Sequence, residues 1–166
     1  LVSYKVSSPL LRYTFDDLPD EIDYVLFTHN HDDHVVFETL LQLRHKVKHF
    51  VFPSNNKGFL ADPSLKLILK HLGCSSLLSL EHFDSLALKE GEIIAIPFLG
   101  EHSDLDIHSK TAYYIILKHK KFFFAADSNN LDNTLYEEVF SKFGKIDLLF
   151  LGMECEGAPL TWLYGP

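Results

Sequence analysis

The stretch Tyr24-Val25-Leu26-Phe27-Thr28-His29-Asn30-His31-Asp32-Asp33-His34 decides how the rest of the chain is read. Its first five residues form a short apolar, β-rich run of the kind found in a strand covered on both faces. A polar knot follows at once, with His29, His31, Asp33 and His34 all able to bind a metal. In α/β sheets, ligand sites form outside the carboxyl ends of the strands, which is where this knot falls. On extended backbone, residues i and i+2 point the same way, so His29 and His31 can offer imidazoles to one point in space. Asp33 and His34, read as the beginning of the next helix, then serve a second point close by, the geometry of a two-metal site. A lone loop histidine is usually just solvated, and an aspartate before a helix is usually a cap. Four such groups directly behind a hydrophobic strand are not explained that way.

Downstream of the knot, Val36, Leu40, Leu43 and Val47, flanked by Phe37 and Leu41, recur at spacings of three and four and predict an amphipathic helix of about three turns. A strand over His49 to Phe52 ends at Pro53. Pro63 suits the first turn of a second helix, whose buried face is Leu65, Ile68, Leu69 and Leu72 and which stops at Gly73. The second half reads as strands over 77–80, 85–88, 93–99, 111–117 and 121–126, the last two flanking a basic hairpin tip at His119-Lys120. A helix over about 132–143, closed by Gly144, leads into a strand over 147–151. The fold class is α/β, with a mixed sheet and helices outside it.

The chain has 166 residues, 46% of them apolar and 23% charged, and carries a net charge of −8. A chain of that size can bury a real core in one domain, and no repeat or Gly/Pro-rich linker divides it. With 15 basic against 23 acidic residues, no phosphate-binding surface is expected, and so no nucleic-acid partner. No apolar run reaches the roughly 18–20 residues of a membrane span, so no membrane partner is expected either. The two cysteines cannot make a disulfide framework, and a reducing, cytoplasmic setting is the expectation. Ten histidines are the unusual count. His45, His49, His71, His82, His108 and His119 show no paired spacing and read as surface or packing residues.

In its context the run from Thr28 to His34 resembles the His-x-His-x-Asp-His signature of the metallo-β-lactamase superfamily. The resemblance implies an αββα sandwich of mixed sheets with outer helices and two metals at one edge. It also implies that His29 and His31 hold one metal and Asp33 and His34 the other. The family places a further ligand, usually a histidine, after the strand that here ends in Gly100-Glu101-His102, and a bridging aspartate where Phe122 to Ala126 ends in Asp127-Ser128.

Glu101 and His102 separate two chemistries. With His102 as ligand, three imidazoles suit Zn²⁺, which activates water for hydrolysis of an ester, amide or phosphodiester. With Glu101 as ligand, the mixed carboxylate and imidazole set favours iron or manganese, and O₂ chemistry becomes accessible. The stretches 98–102, 124–130 and 151–166 are similar to the diiron β-hydroxylases of nonribosomal peptide antibiotic biosynthesis, of the chloramphenicol-pathway type. That narrower resemblance implies Glu101 as a ligand, Asp33 and Glu101 as catalytic residues, a pair of irons, and a small-molecule or carrier-bound substrate. A non-catalytic metal-binding module is the third reading, because the superfamily's final histidine has no counterpart after His119. The chain opens without Met and has about 28 residues before the knot, so residues 1–166 are expected to be a metallo-β-lactamase-like domain incomplete at both ends. Asp104 and Asp106 are candidate acceptors for a ligand imidazole. Cys155 reads as a small packing residue, and Trp162 and Tyr164 as either pocket lining or packing. Nothing in the sequence sets an oligomeric state.

Overall fold

The structure, a computed structural model, describes residues 14–55, 64–97, 109–128 and 133–152. Its first half alternates strand and helix: β1 (Ile22–Leu26), α1 (Phe37–Leu43), β2 (Val47–Pro53), α2 (Leu65–His71) and β3 (Leu77–Leu80). The three strands pair in parallel in the order β1-β2-β3. A helix between consecutive strands is what a parallel connection requires. In the second half, β4 (Ser85–Leu88), β5 (Gly91–Ile96), β6 (Ala112–Leu117) and β7 (Lys120–Ala126) form an antiparallel meander. Helix α3 (Thr134–Phe143) then crosses over, and β8 (Leu148–Leu151) joins β7 in parallel.

Three apolar layers hold the four layers of structure together. Leu40 of α1 and Leu65 and Leu69 of α2 pack on Phe50 and Phe52, which face outward from β2. Val51, between them in sequence, points the other way and meets Leu80, Ile93, Ala95 and Tyr113 in the space between the two sheets. Tyr114 and Phe123 leave the second sheet on its far side and pack against Val139 of α3. Period-two alternation on strands covered on both faces therefore produces helix, sheet, sheet, helix in that order, the expected αββα sandwich. One of the two sheets is purely parallel among the described residues, and the other is mixed.

Several local expectations are corrected. Helix α1 spans seven residues rather than three turns, and Val47 is the first residue of β2. Val47 is buried as the stripe implied, but from a strand, because the β-rich run Val47 to Phe52 pairs with both neighbours. Asp33 and His34 do not begin the helix. They lie in a turn in which the N–H groups of His34 and Val35 both donate to the His31 carbonyl, at 3.0 and 2.9 Å. Helix α2 starts after Ser64, whose hydroxyl accepts from the Leu67 N–H, and Pro63 lies outside the described residues. The hairpin tip is Lys118-His119, both with positive φ, rather than His119-Lys120. Gly144 closes α3 as expected, with φ of +79°. Among the described residues no helix is long and apolar enough to cross a membrane.

Candidate metal centre

The carboxyl end of β1 is fastened to the second sheet immediately before the histidines begin. The Phe27 N–H donates to Val51 O at 2.8 Å, continuing the parallel ladder, and the Thr111 N–H donates to Thr28 O at 2.8 Å. The Tyr113 hydroxyl donates to the Phe27 carbonyl at 2.7 Å. His29 therefore leaves a backbone that both sheets hold, and it is only 2% exposed.

From there the knot turns back on itself. His29 Nε2 stands 2.9 Å from His31 Nδ1 and 3.4 Å from Asp127 Oδ2. His34 Nε2 lies 2.9 Å from that same carboxylate oxygen, and its ring sits 4.1 Å from that of His29 between centroids. Asp127 arrives from the end of β7, in the second sheet. The carboxylate holds the His34 imidazole above its usual pKa by hydrogen bonding to it, against the opposing effect of burial. Asp33 is mostly exposed, with Oδ2 3.6 Å from His34 Nε2. Glu101, His102, Asp104, Asp106, His108, Cys155, Trp162 and Tyr164 lie outside the described residues.

The donor set fits a metal. One ligand atom each from His29, His31 and Asp127 lies within 4.8 Å of the other two. Donors bound at about 2.0–2.2 Å to one ion stand roughly 3.0–3.5 Å from each other, and the separations of 2.9 and 3.4 Å at His29 Nε2 match that spacing. A ring nitrogen carries at most one proton, which cannot point at both neighbours, whereas one cation can accept a lone pair from each. With Nε2 of His29 turned to an ion, the ring proton lies on Nδ1, where Thr28 Oγ1 at 3.0 Å can accept it and hold the ring in place. Thr28 has no place in a search for metal-binding side chains, and its one trace in the sequence is a hydroxyl directly before the first histidine.

Comparison with known proteins follows the same lines. Residues 7–157 match the family model for the beta-lactamase superfamily domain. A Streptomyces venezuelae protein, the 3-hydroxylase of 4-amino-L-phenylalanyl-CmlP-peptidyl-carrier-protein, is 44% identical over 155 residues, 93% of this chain and 29% of that protein. The crystal structure of CmlA, a diiron β-hydroxylase from Streptomyces venezuelae, superposes with a TM-score of 0.81 at 43% identity, over 93% of this chain and 30% of that one. The chain thus spans less than a third of the length of these relatives. Igni18, a metallo hydrolase from Ignicoccus hospitalis, shares the fold at 18% identity and a TM-score of 0.60, over 85% of this chain and 57% of that one. With the family model covering most of its length and the sandwich matching in three dimensions, the chain belongs to the beta-lactamase superfamily.

Proposed function

We propose that this chain is the metal-binding part of a dinuclear iron oxygenase that uses O₂ to hydroxylate the β-carbon of an amino acid carried on a peptidyl carrier protein. The observation that carries the reading is the 44% identity with a carrier-protein-dependent 3-hydroxylase across 93% of the chain. In this reading His29 and His31 hold one metal, Asp33 and His34 the other, and Asp127 bridges them. The bridging role is supported by a carboxylate oxygen 3.4 Å from His29 and 2.9 Å from His34. Glu101 completes the first site, and its carboxylate tips the choice toward iron over zinc, with manganese the nearest substitute. His102 takes that place only in a zinc hydrolase. Asp33 and Glu101 are the proposed catalytic residues.

A pair of bound irons supplies the redox chemistry that O₂ activation needs. The rest falls to the chain. Thr28 Oγ1 accepts from Nδ1–H in the His29 tautomer whose Nε2 is free for a metal, and the Asp127 carboxylate, 2.9 Å from His34 Nε2, orients that ring toward the site. Burial of His29 keeps bulk water from one side of the site. A cytoplasmic location accords with the buried free thiol of Cys74.

The test is metal analysis of the full-length protein purified without added metal, with an O₂-dependent assay on a carrier-tethered amino acid. Two irons per chain and a product heavier by one oxygen atom are expected. Bound zinc with no O₂ uptake in the presence of reductant would overturn the oxygenase reading. A Glu101→Ala variant that keeps its full iron content would remove Glu101 from the ligand set.

A further inference from the structure

Asp127 is carried on a bend that its own sequence disfavours. Ala126, the residue before it, has φ of +52°, the left-handed region that side-chain-bearing residues seldom adopt. The bend closes through the Ser128 N–H, which donates to Ala125 O at 3.1 Å and leaves Ala126 at the first central position. Positive φ there ordinarily selects glycine. The pairing of β7 with β8 shifts register between Phe124 and Ala126, so the regular ladder does not hold the bend.

Gly152, just beyond β8, provides the missing restraint. Its N–H donates to the Ala126 carbonyl at 3.1 Å. A Cβ on Gly152 would stand 3.0 Å from that same carbonyl oxygen and 3.6 Å from Asp127 Oδ1. On the other side of Asp127, the Tyr136 hydroxyl of α3 donates to Ser128 Oγ at 2.5 Å, and Ser128 is buried. Asp127 is therefore held on both flanks, and the Gly152 side admits no extra atom without movement of strained backbone.

We propose that Gly152 is a positioning residue for Asp127: by bonding the strained Ala126 carbonyl while presenting no side chain, it aims the carboxylate at His29 and His34. The proposal rests on the reading of Asp127 as a metal ligand. A metal site tolerates displacement of a ligand by only about half an ångström, so loss of the restraint reaches the metals before it reaches the fold.

The experiment compares the full-length protein with its Gly152→Ala, Ala126→Gly and Asp127→Ala variants. It measures iron affinity by chelator competition, the spectrum of the iron-loaded protein, and the melting temperature without metal. Gly152→Ala is expected to weaken iron binding by about 10–100-fold, as loss of a group supporting a ligand does, and to alter the spectrum. Ala126→Gly is expected to leave the metal-free melting temperature unchanged or raised, since glycine tolerates the bend. Gly152→Ala with the affinity and spectrum of the parent would overturn the proposal, as would an Ala126→Gly melting temperature lowered by several degrees. Asp127→Ala with undiminished iron binding would instead overturn the ligand reading on which the proposal rests.

Discussion

Replacing Tyr113 by Phe is expected to destabilise the protein by about 1–3 kcal/mol through the loss of one oxygen atom. In the parallel pairing of β1 with β2, the Phe27 N–H donates to Val51 O at 2.8 Å. The following rung would run from the N–H of residue 53 to the Phe27 carbonyl, but residue 53 is proline and has no N–H to give. The Tyr113 hydroxyl, 2.7 Å away, fills that place from the opposite sheet. Tyr113 is 1% exposed and Phe27 4%, so bulk water does not reach the carbonyl when the hydroxyl is removed. Burial also pushes the phenol pKa far up, so the donor keeps its proton at any pH at which the protein folds. Phenylalanine retains the ring between the sheets, so the hydrophobic contribution is nearly unchanged. What remains is a hydrogen bond worth about 0.5–1.5 kcal/mol and a buried carbonyl left unsatisfied, together about 1–3 kcal/mol. For a domain of this size that corresponds to a melting temperature lower by roughly 2–10 °C. Urea unfolding should show a lower midpoint with an unchanged slope. Tyr114→Phe is the control: its hydroxyl meets Phe143 O at 3.3 Å, a longer bond, and a smaller effect is expected. A Tyr113→Phe loss below about 0.5 kcal/mol, or one no larger than that of Tyr114→Phe, would refute the argument that the proline leaves a rung for the tyrosine to fill.

Three further outcomes follow from particular contacts. Thr28→Val removes the oxygen that faces His29 Nδ1 and should weaken metal binding by about 10–100-fold while barely moving the metal-free melting temperature, as read by chelator competition and calorimetry. Leu69→Ala, at a fully buried position beneath α2, should lower unfolding free energy by about 2–5 kcal/mol in denaturant titration; a loss under 1 kcal/mol would mean that the helix layer is not packed as described. The Lys120 ammonium, together with the Lys121 amide, holds the Asp147 carboxyl below the usual carboxylate range. A lowered folded-state pKa contributes stability above the unfolded value, near pH 4, that disappears as pH falls through the folded value. Asp147→Asn should therefore flatten the acid side of the stability profile below about pH 4, and an unchanged acid limb would count against the pairing.

Much of the architecture was legible because strands covered on both faces leave a strong trace. Phe50 to Phe52 are continuously apolar because one side faces helices and the other a second sheet, and no exposed strand needs that. Helix ends were legible where glycine marks them, as at Gly144. The failures are local and share a cause. Val47 satisfies helical spacing and strand propensity equally, and only pairing with β1 assigns it to β2. Asp33 and His34 looked like a helix start, but the backbone spends them in a turn on the His31 carbonyl before α1 begins. At the site, the histidines of the knot announced themselves by density, whereas Thr28 and Gly152 act through a single hydroxyl and a missing side chain, which no spacing rule records.

Which groups could bind metal, and at which end of a strand they fall, can be read along the chain, because a polar run after an apolar one is a local property. The residue pattern also gave an α/β class with helices outside a mixed sheet, whereas the four-layer sandwich was an implication of the family resemblance that the two sheets bear out. That Asp127, far along the chain, lies 3.4 Å from His29 and 2.9 Å from His34 follows from the packing alone. That meeting depends on two sheets closing over Val51, Ile93 and Tyr113, on a tyrosine hydroxyl standing in for a proline's missing N–H, and on a disfavoured bend at Ala126. Each joins residues distant in sequence, and such a contact has no free-energy minimum until the packing that surrounds it exists.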